Sequence, residues 1–192
     1  TLWGCNGQAP QQSQTTEPEA SATTQALSEA KRPFVTKWKG EAGKTLKIPV
    51  LGTYTLTWYN EATPNERHTE QVTVGVRKDQ YGDEEALPYT FTTPTDGVYV
   101  VEAGPEGVEG LRMFFERSYE EFAPKLLTVV QFGDVEWKRL DSAFLGCGNM
   151  QFEKGIDTPD LSHCSRLAGM FSGCEAFNSP IEGWDVSRVK DM

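Results

Sequence analysis

The chain has 192 residues, 38% hydrophobic and 24% charged, which is enough apolar content for one ordinary folded domain or two small ones. Lys and Arg number 18 against 28 Asp and Glu, so the net charge of −10 argues against a nucleic-acid partner and against docking on anionic lipid by charge alone. No run approaches the ~18 apolar residues of a membrane helix, and the only two histidines, His68 and His163, supply a metal centre or a Ser-His-Asp relay poorly.

The first residues, Thr1-Leu2-Trp3-Gly4-Cys5-Asn6, resemble the end of a bacterial lipoprotein signal peptide. Leu2 stands three places before the cysteine and small Gly4 directly before it, whereas Trp3 departs from the pattern. The resemblance implies lipidation at Cys5, and acyl chains would supply the membrane affinity that an acidic chain lacks. Asn6 to Ala30 is rich in Gln, Thr, Ser, Ala and Pro, with Leu27 its only large aliphatic residue. Such a stretch cannot bury enough apolar surface to offset its ordering entropy, so residues 1–33 are expected to be an anchor and a disordered tether.

From Phe34 the texture changes to short alternating runs. Leu46, Ile48 and Val50 form one set, Tyr54, Leu56 and Trp58 another, then Val72, Val74 and Val76, then Tyr89-Thr90-Phe91 and Val98-Tyr99-Val100-Val101. A period of two places one set on a core face and the other in water. Gly52, Asn60 to Pro64, Gly82-Asp83, Pro94 to Gly97 and Gly104-Pro105 read as turns between the runs. Residues 34–118 are therefore expected to form a small β-sandwich with no long helix. The stretch Thr92 to Val101 resembles the second half of a PKD-type or immunoglobulin-like bacterial surface domain, which implies a spacer or a protein-interaction module. His68 is placed in a solvated polar loop, Asn65 to Glu70, and Asp83-Glu84-Glu85 in a solvated acidic turn. Glu116, Glu120 and Glu121 fall on a connector with the character of a short helix.

Residues 119–192 contain a repeat. Leu140/Leu167, Phe144/Phe171, Gly146/Gly173, Cys147/Cys174 and Met150/Phe177 match at an offset of 27, and a third copy opens at Asp185, 25 residues after Asp160. A period in the mid-twenties is the signature of a leucine-rich-type solenoid, in which each copy buries its apolar row against its neighbours. Leu167 to Cys174, Phe177-Asn178-Ser179-Pro180, Trp184-Asp185-Val186-Ser187 and Val189-Lys190-Asp191-Met192 resemble the BspA-like repeat. Cys164 stands where that repeat usually has Val, and His163 where it has Asn. The resemblance implies a bacterial surface lipoprotein, lipid-anchored at the outer membrane, that adheres to host extracellular proteins or to other cells. Met192 falls in mid-repeat, without the third full copy or polar cap of a stable array, so the sequence reads as a solenoid truncated at the C-terminus.

Cys147 and Cys174 take equivalent positions in neighbouring copies, and two readings stay open: a disulfide, or two small buried hydrophobes. The spacings of 17 and 10 from Cys147 to Cys164 to Cys174 match no zinc pattern. No catalytic, phosphate-binding or dinucleotide-binding motif is present, so a non-enzymatic binding protein without a cofactor is expected. Its candidate binding residues are His163, Arg166, Glu175, Glu182 and Arg188, polar positions of the repeats. The rival reading is a carbohydrate-binding lipoprotein of a nutrient-uptake system, using Trp38, Trp58 and Tyr59 as stacking platforms, although alternation puts Trp58 with the core set. A cell-envelope structural protein without a ligand is the third.

Overall fold

The computed structural model describes residues 30–115 and 119–192; the lipidation position Cys5, the tether up to residue 29 and Glu116 lie outside the described residues. The fold is mainly β. The described residues form eleven strands: β1 (Phe34–Gly40), β2 (Thr45–Ile48), β3 (Val50–Asn60), β4 (His68–Val74), β5 (Val76–Lys78), β6 (Glu84–Ala86), β7 (Tyr89–Thr92), β8 (Gly97–Ala103), β9 (Val108–Leu111), β10 (Leu126–Gln131) and β11 (Gln151–Phe152); burial alternates most clearly along β1, β2 and β3, as their sequences dictate. Helical structure among the described residues is α1 (Tyr119–Phe122), followed by a 3-10 turn at Ala123–Lys125.

The main sheet runs β11-β10-β1-β8-β3-β4, with β9 added to β3. Register lines up its buried side chains in rows across the strands. Leu126, Trp38 and Tyr99 form one row, Val129, Thr36, Val101 and Trp58 the next, and Phe34, Ala103 and Leu56 a third. Thr36 is a polar member of this face and is only 2% exposed, but it is not orphaned. The Trp38 indole N–H donates to its hydroxyl at 2.8 Å. The ribbon of β2 and β7 adds Leu46, Ile48 and Phe91 to the same core, with Phe91 stacked on Trp58 at 4.1 Å between ring centres. The sheet continues past residue 118 through β10, and Lys31–Met192 form one compact unit.

The structure differs from the sequence expectation at Val76, Gly52, His68, Glu84 and Glu85. Val76 is 39% exposed, because the main-sheet strand β4 ends at Val74 and Val76 opens β5, which pairs with β6 instead. Gly52 is not in a turn: it lies inside β3 at a bulge opposite β9, with φ +124°. A Cβ there would sit 1.9 Å from the Gly107 carbonyl oxygen, so only glycine allows this crossing. His68 opens β4 rather than lying in a loop, and its ring stacks on Trp58, its cross-strand partner, at 4.0 Å. Glu84 and Glu85 belong to β6; Glu85 is 6% exposed and accepts from Arg77 at 2.6 Å, which a solvated turn would not produce.

Candidate binding surface

After β10 the chain winds in turns that bond to one another through the backbone. Each turn gives N–H groups to the carbonyls of the next. Leu140, Ser142, Phe144 and Gly146 donate to Arg166, Ala168, Met170 and Ser172 at 2.8–3.1 Å, and Leu167 donates to Asp191 at 2.7 Å. Parallel bridges at Glu136/Asp160 and Arg166/Asp191 mark the same stacking. Backbone conformation repeats with it. Ser142 (φ 55°) and Gly169 (φ 66°) are both left-handed, as are Gly146 (φ 73°) and Gly173 (φ 74°), at matching positions of the two turns. Glycine is favoured at such positions because it has no Cβ to clash.

Apolar side chains point into the stack and touch their counterparts. Phe144 stacks on its counterpart Phe171 at 5.7 Å, and within the second turn Phe171 stacks on Phe177 at 4.6 Å. Asp160 and Asp185 each accept the N–H of the serine two residues on, Ser162 and Ser187, at 3.0 Å. Hydrogen bonds from those serines hold both carboxyls below their usual range. Asp134 opens the earlier copy, and Arg32 does the same there, its Nη2 and Nε donating to Oδ1 at 2.8 and 3.2 Å and its backbone N–H to Oδ2 at 2.7 Å.

The near end of the stack is covered by the main sheet and the segment that follows β9. Leu111 and Met113 donate to the carbonyls of Arg139 and Ser142, and β10 pairs with β11. A charged network seals this junction. The Arg112 guanidinium bonds the Asp141 carboxylate and the Glu84 carbonyl, and Arg139 bonds Asp141 at 2.8 and 2.9 Å and the Glu84 carboxylate at 2.9 Å. Asp141 is 3% exposed and thus a buried charge with two guanidinium partners. Burial pulls the Arg112 guanidinium down from its usual value, while the Arg139 hydrogen bond and charge hold the Glu84 carboxyl low.

On the second turn an apolar groove of about 660 Å³ is lined by Leu167, Met170, Phe171, Ile181, Trp184, Val186 and Met192. All five polar residues singled out in the repeats are exposed, but they do not converge. Glu182 borders the apolar groove, Arg166 a second groove beside Leu51 and Val76, and Glu175 a third beside Tyr119 and Glu120. His163 shares a 3.0 Å hydrogen bond with Ser162 and borders none of these grooves, and neither does Arg188. Sequence reasoning missed the Arg112–Asp141–Arg139–Glu84 network, since only the fold brings these four residues together. Among the described residues no helix is long and apolar enough to cross a membrane, and no three His, Cys, Asp or Glu side chains gather as a metal site.

The aromatics of the sugar-stacking reading are not free platforms. Trp38 is 1% and Trp58 8% exposed, and the Tyr59 ring is covered by the Arg67 guanidinium at 4.2 Å. Cys147, Cys164 and Cys174 are free thiols. Burial pushes all three upward, the Cys174 thiol to about 11.

No curated protein and no solved structure matches the chain. A family model described as a Mycoplasma protein of unknown function, DUF285, matches residues 138–192, the segment that forms the stacked turns.

Proposed function

We propose that the chain is a lipid-anchored bacterial cell-surface protein of the BspA-like, leucine-rich-repeat type, without enzymatic activity. In this reading the turns are the first copies of a solenoid that adheres to host extracellular proteins or to other cells. Residues 34–118 serve as a PKD- or immunoglobulin-like sandwich that spaces the array from the membrane, with Cys5 as the lipid attachment point. The observation that carries the reading is the in-register backbone bonding of residues 140–146 to residues 166–172, which supports reading the two turns as copies of one unit. Stacked copies present an extended surface on which many modest contacts add up. The five exposed polar residues are spread along that surface rather than gathered in one pocket, as an extended contact requires.

Binding of the immobilised protein to extracellular-matrix proteins and to whole cells tests this. Alanine at His163, Arg166, Glu175, Glu182 and Arg188 together should reduce binding at least tenfold while leaving the circular dichroism spectrum unchanged. Equal binding by wild type and variant, or no binding by either, would remove the adhesion reading.

A further inference from the structure

Cys147 and Cys174 lie where the two turns touch most closely. Gly146 N–H donates to Ser172 O at 2.8 Å and Ala176 N–H to Gly148 O at 3.1 Å, so the turns are clamped on both sides of the pair. Just before the cysteines, a Cβ on Gly173 would come within 3.2 Å of the Gly146 Cα. The Cys147 N–H and the Cys174 thiol donate to one acceptor, the Phe144 carbonyl, each at 3.0 Å. The Cys174 sulfur therefore reaches back into the first turn, beside the Cys147 backbone. Neighbouring extended chains about 4.8 Å apart place equivalent Cα atoms inside the disulfide range of roughly 4.4–6.8 Å. Cys164 has no such neighbour: the residue 27 positions earlier is Trp137, and its own sulfur faces the Arg166 carbonyl at 3.5 Å.

We propose that Cys147 and Cys174 are a redox pair that forms a reversible disulfide, stapling the first turn to the second. The reaction is exchange with a small-molecule disulfide. The Cys174 thiolate attacks one sulfur of the oxidant and releases the first thiol; Cys147 then attacks the mixed disulfide and releases the second. Two protein thiols lose two electrons and two protons, and the oxidant is reduced to two thiols. Cys174 acts first because it is partly exposed, whereas Cys147 is 0% exposed. With the Cys174 thiol held up at about 11, the exchange is slow at neutral pH and speeds up roughly tenfold for each unit that pH rises toward that value. The staple stands independently of the adhesion reading.

The four cysteines of the chain fall in four tryptic peptides: Thr1–Lys31, Leu140–Lys154, Gly155–Arg166 and Leu167–Arg188. Native protein is treated with oxidised glutathione at several pH values, alkylated in denaturant and digested. Leu140–Lys154 should appear joined to Leu167–Arg188, reversibly with dithiothreitol, while Cys164 is alkylated. The melting temperature should rise by several degrees on oxidation and return on reduction. In Cys147→Ser the glutathione adduct on Cys174 should persist, because nothing displaces it. Cys147 alkylated after prolonged oxidation of the wild type, a persistent wild-type adduct on Cys174, or equal linkage to Cys164 would each overturn the proposal.

Discussion

The two stacked turns carry one pattern and meet two fates. In the first, Trp137, Leu140, Ala143, Phe144, Cys147 and Met150 are all 0% exposed. In the second, Leu167 is 6% exposed and Met170 3%, while Phe171, Cys174 and Phe177 are only half-buried and Ile181 and Val186 beyond them are 40% exposed. Arginine shows the contrast most sharply, because Arg139 and Arg166 are equivalent residues of the two turns. The Arg139 side chain is 20% exposed and makes three bonds to two carboxylates. The Arg166 side chain is 51% exposed and comes no closer than 4.0 Å to Asp191. The repeat pattern therefore specifies the shape of a turn, and the element stacked on it decides what the turn contributes to stability. On the first turn that element is β9, the Arg112–Phe115 segment and β10.

The largest effect should come from the aromatic ladder. Phe144→Ala removes a fully enclosed ring and should cost about 3–5 kcal/mol, whereas Phe171→Ala, with one side of its ring open, should cost roughly 1–2 kcal/mol. Urea titration of both variants checks this. Equal losses would mean that the far end is as well covered in solution as the near end.

How much of this contrast the sequence reveals depends on the range of the contacts involved. Alternation at Tyr54, Leu56 and Trp58 marks a core face because neighbouring side chains in a strand must point opposite ways. The glycines at positions 146 and 173 match because both turns need a left-handed residue there; Ser142 hides the same need behind a side chain. Val76 looks like a third core residue, but whether a strand continues past Gly75 depends on its partner, and that partner changes from β3 to β6. Glu85 looks like a solvated carboxylate because its arginine, Arg77, lies on the other strand of the β5–β6 ribbon and meets it only once the two strands pair. Exposure of the five polar repeat residues follows from their place in the pattern. The placing of Arg166 and Glu175 in two separate grooves does not, since Leu51, Val76 and Tyr119 help to shape those grooves from outside the repeat.

The arginine comparison gives an intermediate effect. Arg139→Ala leaves the buried Asp141 carboxylate with Arg112 alone and should cost about 2 kcal/mol, less than the 3–5 typical of leaving a buried charge unpaired. Arg166→Ala should change stability by no more than about 0.5 kcal/mol, as for an exposed pair at the edge of contact. Chemical denaturation of the two variants decides between them. A loss from Arg166→Ala as large as that from Arg139→Ala would mean that the far turn is held by charge after all.

The smallest effect concerns the acidic residue that opens each copy. Asp134, Asp160 and Asp185 all lie below the ordinary value of 3.8, the first through Arg32 and the other two through Ser162 and Ser187. A carboxyl depressed in the folded state contributes stability above its unfolded value, and that contribution is lost as pH falls through the lower folded value. The melting temperature should therefore be flat above about pH 5 and fall on acidification from about pH 4 downward. Asp160→Asn with Asp185→Asn keeps an oxygen for the serine N–H but removes the titration, so the acid slope should become shallower with little change at pH 7. Asp134→Asn loses the ion pair with Arg32, so it should lower stability at pH 7 as well, and high salt should reproduce part of that loss in the wild type. An acid slope that is unchanged in the double variant and abolished by Asp134→Asn would place all of the pH-sensitive stability at the near end.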